Sequence, residues 1–170
     1  MEETEVNGGE QKVDGLRLSL SVSASDVISP LTKASATDAN AISDLNILVY
    51  NKDNNRLVKG LYLTGAALNG LTVNNNEENK AVNYDIALQN GSYRVRVIAN
   101  AESDLSAEPF DKIDNLSYGT LDNLPKMVMS ASADDVSVSG GKGSAILSLK
   151  RIYAMISVSV NTSGLKDRTI

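Results

Sequence analysis

Ser139-Gly140-Gly141-Lys142-Gly143-Ser144 carries the glycines and the lysine of a loop that could cradle phosphates. A phosphate loop needs Gly, four residues, then Gly-Lys-Ser/Thr, and Gly143 stands where the hydroxyl must be. Such a loop must also open a helix, so that amides and dipole meet the anion, whereas this run joins two strand-like segments. It reads as a hairpin turn. Asn51-Lys52-Asp53-Asn54-Asn55 and the NNNEEN run at 74–79 offer oxygen ligands for Ca²⁺. Neither alternates acidic positions before a closing Glu, so both read as solvated loops. Asp134 and Asp135 are adjacent; on a regular strand they face opposite ways and cannot share acid–base work. A Ser-Lys nucleophile needs the Ser three residues ahead of the Lys on one helical face. No helical pattern has it, and Ser148 and Lys150 are alternate residues of a strand. Sequons at Asn90, Asn115 and Asn161 are a short pattern in an Asn- and Ser-rich chain.

The composition removes most remaining chemistry. There is no His, the commonest general base, and no Cys for a thiolate, a disulfide or a zinc site. The reading is therefore of a chain with no catalytic residue, no metal site and no cofactor, and not of an enzyme. Sixteen basic against 21 acidic residues leave a net charge of −5, with no Lys/Arg cluster to displace counterions, which argues against nucleic acid as a partner. No run approaches the roughly 18 apolar residues of a spanning helix, so no transmembrane segment is expected. At 170 residues and 42% apolar content the chain can bury a real core. Its 20 Ser and 17 Asn suit strand faces and turns, and together point to an extracytoplasmic β-protein.

The elements bear this out by their period. Residues 1–14 are read as an acidic flexible tail, and 15–170 as one β-sandwich domain. Met1 opens directly into that tail, so any secretory leader is expected to have been removed. In LRLSLSVSA, Leu16, Leu18, Leu20, Val22 and Ala24 share one face, and Arg17, Ser19, Ser21 and Ser23 the other. A long exposed loop with Pro30 follows. Leu45, Ile47 and Val49 mark a second strand, the Asx-rich turn ends it, and RLVKGLYLT is its hairpin partner. GAALNGLTVNNNEENKA reads as irregular. VNYDIAL and SYRVRVIANA are predicted to form a hairpin about Asn90-Gly91, burying Tyr84, Tyr93, Val95 and Val97 and exposing Arg94 and Arg96. Pro109 ahead of Phe110, Ile113 and Leu116 predicts a short helix in the crossover. LPKMVMSA, DDVSVSG and SAILSLK read as short strands, and a last, longest strand carries Ile156, Val158 and Val160. The sum is an all-β sandwich of seven to eight strands with one short helix.

The order of these segments is familiar. A first strand, a Pro/Thr/basic/Ala loop, the ISDLNILVY strand, then YRVRVIANA, LPKMVMSA and LKRIYAMISVSV resembles the N-terminal domain of the Bacteroidetes major fimbrillins, subunits of type V pili. The likeness runs over roughly residues 16–160. It implies a transthyretin-like, Greek-key sandwich, export as an outer-membrane lipoprotein, and a second, C-terminal domain. It also implies cell-surface fimbriae, a role in adhesion, and other pilus subunits as partners.

The same resemblance implies a mechanism. A trypsin-like protease cuts after a basic residue in the loop behind the first strand. That strand leaves, and a strand from a neighbouring subunit fills its place. Lys33 in PLTKA, followed by Ala34, stands at the cleaved position; the family's protease is usually Arg-specific, and a lysine departs from that. The exchangeable strand would be about 16–25, with Leu16, Leu18, Leu20, Val22 and Ala24 as its inward face. Val95, Val97, Ile156, Val158 and Val160 are the candidate acceptor-groove residues. Withdrawal would uncover aliphatic side chains and one row of backbone donors, which β-strand addition would cover again. A first strand found mid-sheet, paired on both sides and followed by no accessible scissile bond, would overturn this. The lipid-bearing Cys and the second domain are expected outside these 170 residues. Competing readings are a tip adhesin that binds a host glycan or protein, and an outer-membrane anchor that keeps its first strand. Few aromatics are available for a glycan platform, with six Tyr, one Phe and no Trp.

Overall fold

The computed structural model describes residues 14–22, 42–69, 72–76, 79–116 and 128–152. Ala24, Lys33, Ala34, Ile156, Val158 and Val160 lie outside them, as do the acidic tail up to residue 13 and the expected last strand.

The period-two segments become strands β1 (Gly15–Val22), β2 (Asp44–Asn51) and β3 (Leu57–Thr64). A one-turn helix α1 (Gly65–Asn69) precedes β4 (Thr72–Asn76), β5 (Asn79–Ala87) and β6 (Gly91–Ala99). Helix α2 (Phe110–Asp114) lies in the crossover before β7 (Met129–Val138) and β8 (Lys142–Arg151). The strands hydrogen-bond in the order β3-β2-β6-β7-β8-β1-β5-β4. Non-sequential neighbours β2/β6, β8/β1 and β1/β5 make the crossovers of a Greek-key-type sandwich. The sheet curls at the β7–β8 connection so that its two halves close on one core. Seven strands contribute to that core, among them Leu16 and Leu18, Ile47, Ile86, Val95 and Val97, Met129 and Leu147. The all-β expectation holds.

Local chemistry explains the turns. The Asn51 carboxamide oxygen accepts from the amides of Asp53 (2.9 Å) and Asn54 (3.3 Å), closing the β2–β3 hairpin as its Asx residues predict. Gly140 and Gly141 adopt φ of 60° and 74°, both positive as a tight turn between β7 and β8 demands. That settles the SGGKGS run as a hairpin turn.

Four local expectations are corrected. Asn90-Gly91 does not make a hairpin: β5 pairs with β1 and β4, and β6 with β2 and β7. The two strands line opposite halves of the core, and burying both apolar faces outweighs the local turn preference. Asn90 instead accepts a hydrogen bond from Gly141 N at 3.0 Å, tying the β5–β6 connection to the β7–β8 turn. The segments expected as two short strands, LPKMVMSA and DDVSVSG, instead contribute Met129–Ala131 and Asp134–Val138 to one strand, β7. The segment expected to be irregular contains α1 and β4, so there are two short helices among the described residues; one turn of helix is too short to show a period, and β4 exists through its pairing with β5.

The fourth correction concerns Arg94 and Arg96. The outer face of β2 and β6 is not open to solvent, because the crossover covers it with a second cluster: Leu48, Tyr50, Ile98, Leu105, Phe110, Ile113 and Val128. Phe110 and Ile113 come from the predicted helix, with Pro109 as its N-cap residue rather than its first helical one. Arg94 and Arg96 lie over the Phe110 ring at 5.3 and 4.9 Å and are partly buried.

Candidate functional site

No helix of the described residues is long and apolar enough to cross a membrane, and no cluster of three or more potential metal ligands occurs among them. The feature that stands apart is the setting of β1. It runs antiparallel to β5, from Gly15↔Ala87 to Ser21↔Ala81, and parallel to β8, from Gly15↔Lys142 to Val22↔Leu149. Neither neighbour is its neighbour in sequence, so no hairpin turn ties it to the sheet.

Alternation places Leu16, Leu18 and Leu20 in the core at 0–3% exposure. Beside them on β8, Gly143 is level with Leu16, Ala145 with Leu18, Leu147 with Leu20 and Leu149 with Val22. On the other flank Ile86 faces Leu16 and Tyr84 faces Leu18. Gly143 is small because a Cβ there would meet the carbonyl of Ser137 on β7.

The outward face of β1 is fastened to β5 by polar pairs directly across the ladder. Arg17 donates from Nε to Asp85 Oδ1 at 2.9 Å and from Nη2 to Oδ2 at 3.2 Å, a two-pronged pair. Hydrogen bonding to Asp85 holds the guanidinium above its ordinary pKa. One rung on, Ser19 Oγ donates to Asn83 Oδ1 at 2.7 Å. Gly15 begins the strand at φ 144°, and a Cβ there would collide with the carbonyl oxygen of Ile86. Its amide donates to Gly141 O at 2.9 Å.

Of the residues expected to form an exchange site, the structure brings Leu16, Leu18 and Leu20 into one core with Val95 and Val97. The two valines belong to β6, in the other half of the sheet, and do not flank the slot. The backbone of Val22 closes β1, paired with Leu149. The flanking residues Ile86, Ala145 and Leu147 were not singled out from the sequence, although their strands were. Their role rests on long-range pairing that leaves no local signature. The expectation of a single uncovered backbone row is also corrected: β1 is paired on both sides, so its removal would open two. The first half of the condition that would overturn exchange, a first strand mid-sheet and paired on both sides, is met; the second concerns the bond after Lys33, which lies outside the described residues.

Asp134 and Asp135 do not face opposite ways. Tyr93 pairs with Val136 and Val95 with Ala133, so the two aspartates together oppose Arg94 in a β-bulge. Both are exposed, and they go to different cations: Asp134 accepts from Arg96 Nη2 at 2.8 Å, Asp135 from Lys52. Arg96 also reaches Asp114 of α2 at 3.1 Å. Asp135 thus ties β7 to the β2–β3 turn, and Asp134 shares with Asp114 the Arg96 that joins α2 to the sheet.

The sequence matches the family described as Major fimbrial subunit protein (FimA) over residues 16–158. Similar folds occur in a fimbrial assembly protein from Parabacteroides distasonis, at 15% identity and a TM-score of 0.50 over 81% of this chain and 52% of that one. A candidate adhesin from Bacteroides thetaiotaomicron is similar at 14% identity and a TM-score of 0.50, over 81% of this chain and 45% of its own. The chain thus spans about half the length of these solved structures. No curated protein sequence matches it.

Proposed function

The chain belongs to the major fimbrial subunit protein (FimA) family, and from that premise we propose that it is a structural subunit of a cell-surface fimbria that assembles by exchanging β1 for a strand of a neighbouring subunit. The carrying observation is the slot itself, in which β1 lies between β5 and β8 with no tight turn to either. A strand so connected can leave along its length without unpicking a hairpin.

Magnitudes say what must follow its departure. Burial of a leucine side chain is worth ~1.5–3 kcal/mol, so three of them hold roughly 5–9 kcal/mol. A whole domain is commonly stable by only about 5–15 kcal/mol. An empty slot, with two open backbone ladders besides, is therefore not a resting state. A strand from the next subunit restores both the apolar contacts and the ladders. Pairing on both sides raises the cost of removal and, by the same bonds, the hold on the replacement. Proteolysis at Lys33, export as an outer-membrane lipoprotein, and a role in adhesion belong to the same proposal.

Limited trypsin digestion of the native chain tests it. Apart from trimming at Lys12 in the acidic tail, cleavage after Lys33 should precede all other cuts and leave the remainder resistant, with the severed first strand displaced on adding a second subunit. Resistance of the 23–41 segment, or digestion of the whole chain at one rate, overturns the reading.

A further inference from the structure

We propose that Asp85 is a specificity determinant of the slot, selecting an incoming strand that carries arginine between its first two inward aliphatic residues and glycine ahead of them. This rests on the strand-exchange reading above and adds which strand the slot accepts.

Three features of the walls set the terms. At the mouth, the place of Gly15 tolerates no side chain, because a Cβ meets the Ile86 carbonyl, and its backbone angle is one that side chains rarely adopt. Further in, the inward neighbours on β8 are Ala145 level with Leu18 and Leu147 level with Leu20, so the smaller side chain stands beside the second inward position and the larger beside the third. On the outward side Asp85 has a side chain only 12% exposed while Arg17 covers it. A carboxylate in that position is matched in shape by the planar fork of a guanidinium, less well by an ammonium, and repels another carboxylate. Asn83, one rung on, accepts a hydroxyl hydrogen bond. The preferred occupant is a strand of the pattern Gly, large aliphatic, Arg, large aliphatic, Ser or Thr, large aliphatic, lying antiparallel to β5. Backbone ladders alone would accept many apolar strands; charge and size on the two faces reject most of them.

The test uses the full chain and a fluorescent peptide of residues 15–22, GLRLSLSV, in large excess, warmed to just below the unfolding transition. Bound dye is measured after gel filtration. The native peptide should be captured, and the peptide carrying Arg17→Glu at least about tenfold less. The chain carrying Asp85→Arg should invert that order. The chain carrying Asp85→Ala, which removes the charge without reversing it, should capture both peptides about equally. Equal capture by the unaltered chain overturns the selection by Asp85 while leaving strand exchange intact. Failure to capture any peptide, by the chain cut after Lys33 with trypsin as well as by the intact chain, overturns both.

Discussion

The backbone of Gly60 on β3 lies against the carbonyl of Ser106, so close that a Cβ on Gly60 would fall far inside van der Waals contact distance of its oxygen. The carbonyl is held there by its own segment. Asp104 Oδ1 accepts from Ser106 N at 2.9 Å and from Ser106 Oγ at 2.6 Å, bonds that keep the Asp104 carboxyl below its ordinary pKa. Asn46, fully buried on β2, fixes the same stretch by donating to Ser103 O and accepting from Leu105 N. Gly60→Ala must therefore push a segment that cannot yield without losing buried hydrogen bonds. It should cost about 1–3 kcal/mol, read as a lower Tm, and raise amide exchange at Leu105. The same substitution at Gly60 in a chain already carrying Asn46→Ala should cost less, because the segment is then free to move.

The bulge on β7 makes an unusual forecast about deletions. Core contacts fall at Met129, Ala131 and Ala133, then at Val136 and Val138, and the change of phase is absorbed where Asp134 and Asp135 both face outward. Deleting Asp135 restores plain alternation while keeping Tyr93 opposite Val136 and Val95 opposite Ala133. The strand straightens and the Lys52 pair is lost, a change of about 1 kcal/mol at an exposed position. Deleting Ser137 turns Val138 outward and should cost at least ~2 kcal/mol. Urea unfolding should show the Ser137 deletion costing at least about twice as much as the Asp135 deletion, two positions away.

These cases mark what could be read ahead of the structure. The alternation of Leu16, Leu18 and Leu20, the Asx turn at Asn51 and the helix after Pro109 are local patterns, and each formed as read. Asn90-Gly91 is equally local but misled, because the strands beside it face each other across the core and pair elsewhere. The partnership of Leu18 with Ala145 joins opposite ends of the chain, and only closure of the whole sheet reveals it. The bulge at Asp134 was hidden for a related reason: its signal is a slip in phase, visible only once Arg94 is known to lie opposite.

Within β8, neighbouring residues should differ in what they contribute. Leu147 is 5% exposed beside Leu20, and Ile146 is 84% exposed on the outer face. Leu147→Ala should cost 2–5 kcal/mol, roughly the range for a truncated core aliphatic. Ile146→Thr keeps the β-branch and removes exposed apolar surface, so stability should change by less than about 0.5 kcal/mol. Thermal unfolding of the pair checks that the wall of the slot faces the way its register states.

Alkaline stability should be governed by Tyr50. Its hydroxyl donates to Glu108 O at 2.8 Å, and its ring meets Phe110 edge to face at 5.3 Å between centroids. Burial pushes the phenol up to about 12, against an ordinary value near 10. The neutral form is the one the fold favours, so this contribution is complete below pH 10. It is lost as the pH rises from there through about 12, where the folded protein must ionise a buried phenol or open the crossover to do so. Tyr50→Phe removes the hydrogen bond and should lower stability by about 1 kcal/mol at neutral pH. Between pH 10 and 12 the native protein should lose stability faster than the variant, and the two Tm curves should converge. Parallel curves over that interval would mean that Tyr50 does not hold the crossover against β2.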